Sequence, residues 1–96
     1  METSVIERFI RYVKIDTQSD YATETFPSTA KQFDLANVLV NELLQLGLQD
    51  AEVDENGYVM ATLPANTSAQ VPVIGFIAHM DTSPDASGTG VNPQFL

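Results

Sequence analysis

Cysteine is missing altogether from these 96 residues. No disulfide can staple the chain, and no thiolate is available to bind a metal or attack a substrate. The lack is compatible with a reducing compartment. Basic residues are scarce as well: four Lys and Arg stand against thirteen Asp and Glu, a formal net charge of −9. Nucleic acids and anionic membranes are gripped by clusters of Lys and Arg, so neither is expected as a partner. The acidic balance suits a divalent metal or a cationic substrate, and equally a solvated acidic surface. No apolar run reaches the ~18 residues of a membrane span. Met1-Glu2-Thr3-Ser4 carries no basic stretch and no A-x-A site. No signal peptide is read there, and a soluble, cytoplasmic protein is expected. Histidine occurs once, so this chain cannot build a metal site from imidazoles alone.

What is present reads as one small α/β domain, whose thin margin follows from burying only about 60–65% of the unfolded chain's surface at this length. Thr3 or Ser4 opens a first helix, with Ser4 and Glu7 spaced as a capping box. Val5, Ile6, Phe9, Ile10 and Val13 then form one apolar stripe at helical period, expected to face a core. The helix is predicted to stop near Ile15, where Asp16-Thr17-Gln18-Ser19-Asp20 offers side chains that compete for backbone hydrogen bonds. Residues 16–28 read as a loop, with Pro27 fixing its exit.

Ser28 or Thr29 is expected to cap a second helix, Thr29 and Gln32 matching a capping box. Phe33, Ala36, Val40, Leu43 and Leu44 form its predicted buried face, and Gly47 its left-handed stop. A hairpin follows: Ala51 and Val53 alternate with acids, Asn56-Gly57 signals a two-residue turn, and Tyr58 to Leu63 returns as a strand. After a polar connection over 64–70, Val71-Pro72-Val73-Ile74-Gly75-Phe76-Ile77-Ala78 is almost continuously apolar. That pattern predicts a strand covered on both faces, the centre of a parallel or mixed sheet under helices, with Pro72 tolerated at its start. Thr82 to Leu96 reads as loop. The elements amount to about half of a three-layer α/β/α sandwich, so the natural protein is expected to continue past Leu96.

The apolar strand runs into Ala78-His79-Met80-Asp81-Thr82. Strand side chains alternate, so His79 and Asp81 share a face and Met80 takes the other. Both lie at the carboxyl end of the strand, where open α/β sheets bind ligands. A neutral imidazole is a good zinc ligand, and a nearby carboxylate can orient it and raise its basicity, or bind metal itself. Catalytic zinc needs about three protein ligands and an open position, so one His and one Asp are part of a site. On spacing alone two readings stay open: a metal-binding pair, or a polar pair satisfied at a loop junction. Sheet centres seldom end in two ionisable groups without use, which favours the first.

Other constellations carry less. Ser83 and Ser87 lie near His79, but no G-x-S-x-G elbow is present and Ser83-Pro84 reads as turn chemistry. Gly88-Thr89-Gly90 does not make the G-x-G-x-x-G of a phosphate cradle. Asp54, Glu55 and Asn56 lead into a turn and lack the spacing of a calcium loop.

The stretch Ile74-Gly75-Phe76-Ile77-Ala78-His79-Met80-Asp81-Thr82-Ser83-Pro84-Asp85 resembles the first metal-binding segment of the peptidase T family of tripeptide aminopeptidases. That family lies within a larger group of zinc exopeptidases with two co-catalytic metals. H-x-D after an apolar strand is common to the larger group. The extension Asp81-Thr82-Ser83-Pro84-Asp85, then Ser87-Gly88 and Val91-Asn92-Pro93-Gln94, is closer to peptidase T. Asp16-Thr17-Gln18-Ser19, Pro27-Ser28-Thr29 and Met60-Ala61-Thr62-Leu63-Pro64-Ala65-Asn66 resemble it in the same order. The resemblance implies that His79 is a zinc ligand and that Asp81 is the catalytic partner that orients and polarises it. It implies hydrolysis of the first peptide bond of a tripeptide by water held and acidified between two zinc ions, with a glutamate outside these residues moving the proton. The remaining ligands and that glutamate have no counterpart here, so these 96 residues alone are expected to be inactive. Two alternatives are kept: a complete small α/β binding or interaction domain in which His79 and Asp81 are structural, and a related dipeptidase, carboxypeptidase or deacylase, which the Asp81–Asp85 extension disfavours.

Overall fold

A computed structural model describes residues 4–96. The expected start at Thr3 and the reading of Met1 to Thr3 lie outside the described residues. Helix α1 (Val5–Val13) begins at Ser4, whose Oγ accepts from the Glu7 N–H at 3.1 Å while the Ser4 N–H donates to the Glu7 carboxylate at 3.4 Å. This is the expected capping box, two orphan donors satisfied reciprocally. The helix ends where predicted. Asp16 Oδ1 accepts from the Gln18 N–H at 3.0 Å, a local turn that replaces the next helical bond.

Helix α2 (Gln32–Gln45) departs from its expected start. Its first residue follows Lys31, and no side chain caps it. The Thr29 hydroxyl, assigned to the cap, donates instead to the Gln18 carbonyl at 2.8 Å and accepts from Gln32 Nε2 at 3.1 Å. The tertiary bond to Gln18 takes Thr29 away from the local one. Tightened turns lead in: Gln32, Phe33 and Asp34 N–H groups donate to the carbonyls three residues back. The far end is as read. Gly47 adopts φ +94°, its N–H donates to Leu44 O, and Leu48 N–H reaches Leu43 O. Those bonds are the Schellman closure, which needs a left-handed residue that glycine adopts without a Cβ penalty.

The buried face of α2 is turned slightly from the one expected. Leu35 and Ala36 are buried together with Gln32, whereas Phe33 is half-buried and Leu44 exposed. Helix α2 packs against a hairpin of β1 (Glu52–Val53) and β2 (Val59–Met60), antiparallel with Val53 opposite Val59. The turn is one residue longer than Asn-Gly predicts. Asp54 and Tyr58 close it, with Asp54 N–H donating to Tyr58 O at 3.0 Å and Asp54 Oδ1 accepting from the Asn56 and Tyr58 N–H groups at 2.9 Å. Only Gly57 takes a positive φ (+82°). A two-residue I′ turn would need a positive φ at Asn56 as well, and the Asp54 carboxylate stabilises the three-residue loop instead. Strand β2 stops well short of Leu63, because the Thr62 N–H is taken by Asp50 Oδ1 at 2.8 Å.

The largest correction concerns Val71–Ala78. The central strand expected there is absent: the segment has no regular secondary structure and no ladder partner, and Val73 and Ile77 are 99% and 100% exposed. A strand exists only beside another strand, and no described residue runs alongside this one. The first part of the α1 stripe is likewise uncovered, with Val5 83% exposed and Ile6 and Phe9 more than half exposed, against the expectation of core, while Ile10 and Val13 are half-buried. The α/β mixture is present, but the three-layer sandwich is not assembled by the described residues. A Cα radius of gyration of 15.6 Å, against about 13 Å for a compact chain of this length, reflects the same uncovered segments.

What interior exists lies where the exit of α1, the entry of α2 and the loop after Asp81 meet. Thr17 is buried there, its carbonyl accepting from the Thr82 N–H at 3.2 Å. Ser19 N–H donates to Thr82 O at 2.9 Å, completing a parallel bridge between Gln18 and Thr82. Across the helices, the Glu42 carboxylate receives the Tyr12 hydroxyl and pairs with Arg11. Burial raises the Tyr12 phenol and its bond to Glu42 raises it further. Burial works against the Glu42 anion, but the Tyr12 and Arg11 donors outweigh it and hold the carboxyl below its ordinary value. Among the described residues no helix is long and apolar enough to cross a membrane.

Candidate functional site

His79 and Asp81 are separated by one residue, and their side chains meet. His79 Nδ1–H donates to Asp81 Oδ1 at 2.9 Å and to the Asp81 carbonyl at 2.9 Å. With both acceptors on the Nδ1 side, the neutral ring carries its proton there and turns the Nε2 lone pair outward. The pair is accessible: the His79 side chain is 85% exposed and that of Asp81 45%. Asp81 favours the protonated ring first through its side-chain hydrogen bond, then through its backbone carbonyl and its charge, so the imidazole is raised from its ordinary value. Met80, between them, is half-buried.

The donor set can be tested against a divalent transition metal. One imidazole with a free Nε2, held on its other nitrogen by a carboxylate, has the chemistry of a zinc ligand and its orienting partner. It is one ligand of about three. Among the described residues no group of three or more His, Cys, Asp or Glu comes together. The residues therefore fit one corner of a metal site.

The loop that leaves the pair is held by residues whose local pattern marks a helix stop. Gln18 Nε2 donates to Pro84 O and to Ala86 O, both at 3.0 Å. The Ser19 hydroxyl donates to Thr82 O at 2.8 Å. Asp16 stands behind Gln18: its Oδ2 receives Lys31 Nζ at 3.0 Å. The Gln18 N–H, Lys31 and the Thr89 hydroxyl together hold the Asp16 carboxyl below its usual value. Gly88 is buried against this carboxylate, and a Cβ there would fall 2.5 Å from Asp16 Oδ1. The only signal in the sequence was that Asp16-Thr17-Gln18-Ser19 and Ser87-Gly88 both belong to the resemblance. Ser83 and Ser87 engage in local turn bonds to Asp85 and Thr89, and neither is hydrogen-bonded to His79 among the described residues.

No family model matches the chain. Curated proteins do, over its full length. Peptidase T of Geobacillus thermodenitrificans is 60% identical over all 96 residues, which are 23% of that protein. Peptidase T of Lysinibacillus sphaericus is 62% identical over 96 residues, 24% of its length. Peptidase T of Bacillus subtilis is 58% identical over 96 residues, 23% of its length. The resemblance read from the motifs thus runs along the whole chain, and the chain spans about a quarter of the length of these relatives.

Proposed function

We propose that this chain is the amino-terminal part of the catalytic domain of a cytoplasmic zinc aminopeptidase that releases the N-terminal residue from tripeptides, and that His79 is one of its metal ligands. The observation that carries the reading is the His79–Asp81 pair: an exposed imidazole whose Nδ1 is fixed by a carboxylate and whose Nε2 has no hydrogen-bond partner among the described residues. Identity of 58–62% to proteins named peptidase T over every residue supports the peptidase assignment. The name speaks for peptide hydrolysis; the metal and the tripeptide come from the site chemistry and the motif resemblance.

A divalent ion bound there supplies a Lewis acid for peptide hydrolysis. Asp81 fixes the tautomer of His79, keeps the Nδ1 proton in place and increases the donor strength of Nε2. His79 is exposed enough to meet ligands from other parts of a longer chain. The uncovered Val71–Ala78 run supports the same reading, since a continuously apolar segment of this kind suits the centre of a layered α/β sheet.

The test is made on the full-length protein that carries these residues. Metal content after dialysis and tripeptide hydrolysis are measured for the parent, His79→Ala and Asp81→Asn. The expected result is zinc in the parent, release of the N-terminal residue from tripeptides, loss of bound zinc in His79→Ala and roughly 10- to 100-fold weaker zinc binding in Asp81→Asn. A parent that releases no residue from tripeptides with zinc supplied, or a His79→Ala protein with the parent's zinc content, overturns the proposal.

A further inference from the structure

We infer that Gln18 is a positioning residue for the His79–Asp81 pair: its side-chain amide clasps the loop that leaves the pair, and so fixes the direction of the His79 imidazole. The inference rests on the reading of His79 as a metal ligand. Among the described residues, 71–78 have no hydrogen-bonded partner strand. The first residue after Asp81, Thr82, is bonded at both its N–H and its carbonyl to the segment 17–19. The pair is therefore tied to the segment 17–19 on its downstream side, an anchor separate from any strand pairing that residues 71–78 take in a longer chain.

Gln18 is the centre of that anchor. Its Nε2 carries two protons, and both are used, on Pro84 O and Ala86 O at 3.0 Å each. Those two carbonyls belong to the turn that follows Thr82, so one amide holds the turn closed across 66 and 68 positions of sequence. The amide orientation is unambiguous, since the flipped group would set an oxygen against two carbonyl oxygens. Gln18 is itself immobilised: its N–H donates to Asp16 Oδ1, and its carbonyl accepts from the Thr29 hydroxyl at 2.8 Å. Asp16 is fixed in turn by Lys31. A chain of named bonds thus runs from the entry of α2 to the residue beside Asp81, and no other side chain in it reaches both Pro84 and Ala86. A ligand held this way enters its metal in one orientation, whereas a loose one must be ordered by the ion at a cost in affinity.

The chemistry of the amide makes the inference testable. Gln18→Ala removes both donors. Gln18→Glu keeps shape and length but sets carboxylate oxygens against two carbonyls. The full-length protein is loaded with cobalt(II) in place of zinc, and its visible ligand-field spectrum and cobalt affinity are read below the unfolding temperature. Amide exchange at Thr82 in the metal-free protein is read alongside. Both variants are expected to alter the spectrum, to bind cobalt about 10- to 100-fold more weakly and to exchange Thr82 faster. Ser19→Ala, which leaves the Ser19 N–H on Thr82 O, is expected to keep the parent spectrum. A lower melting temperature with the parent's spectrum and affinity in both Gln18 variants overturns the inference, because it assigns Gln18 to stability alone. His79→Ala separates the two ideas. If it abolishes the cobalt spectrum while the Gln18 variants keep it, the positioning role fails and the ligand stands. If it too keeps the spectrum, the ligand reading fails and the positioning role with it.

Discussion

Gly88→Ala is the sharpest single perturbation of the clasp. Gly88 is not among the glycines with positive φ, which are Gly47, Gly57 and Gly90. An alanine backbone is therefore unstrained there, and by itself the change would stabilise by about 0.4–1 kcal/mol through the unfolded chain. Sterics oppose it. The new methyl would lie 2.5 Å from Asp16 Oδ1, 3.3 Å from Asp16 Cγ and 3.5 Å from Thr82 Oγ1. The first distance is far inside contact, and the carboxylate cannot swing away without loosening the Gln18 N–H and Lys31 Nζ. Overpacking of this kind costs about 1–3 kcal/mol, so the clash wins. Expressed as local opening, the net cost of up to about 2.6 kcal/mol is as much as roughly 80-fold faster amide exchange at Ser19 and Thr82 in the full-length protein. The cause can be isolated with Asp16→Ala, which removes the obstructing atoms. Gly88→Ala is expected to accelerate exchange strongly in the parent and little in the Asp16→Ala background, a coupling beyond the ~0.5 kcal/mol scatter of independent sites. Additive effects, or a Gly88→Ala protein with parental exchange, would refute the argument.

Gly47→Ala meets no atom within 4 Å but must adopt φ +94°; it is expected to destabilise by about 1–2 kcal/mol, read as a lower denaturant midpoint at unchanged slope. Glu42 is held below its ordinary carboxyl value, so its contribution is full above about pH 4.5 and is lost as pH falls through its lower native value; Glu42→Gln should flatten that part of the acid-stability curve, and an unchanged curve would remove Glu42 from the account. The isolated 96-residue chain should show no saturable zinc heat and no tripeptide hydrolysis, because one imidazole is a single ligand of about three; calorimetry and an amino-acid release assay check both. Leu35→Ala, at the most buried large apolar position of α2, should cost about 2–3 kcal/mol, at the low end for such truncations since a small interior collapses easily.

Local signals were read well wherever a residue's own neighbours satisfy its backbone. The Ser4–Glu7 box, the Asp16 stop and the Gly47 closure of α2 all formed as expected, because each bond spans five residues or fewer. The hairpin was legible as well, but its loop length was not. Asn56-Gly57 favours a two-residue turn, and the Asp54 carboxylate overrides it by accepting two N–H groups. The His79–Asp81 pairing was legible from the two-residue spacing, and the structure joins the two at 2.9 Å.

Everything decided by distant residues escaped local reading. Thr29 has the chemistry of a cap, yet its hydroxyl goes to Gln18, eleven positions away. Gln18 looked like a polar loop residue; only the fold brings it to Pro84 and Ala86. Val71–Ala78 has the pattern of a buried strand, but pattern supplies no partner, and burial and pairing need other segments alongside. The sequence by itself determined which residues start and stop helices and which imidazole and carboxylate stand together, because those are short-range matters of spacing and donor count. The tertiary structure alone decided what holds that pair in place, because a hydrogen bond between residues 18 and 86 depends on how the chain returns to itself.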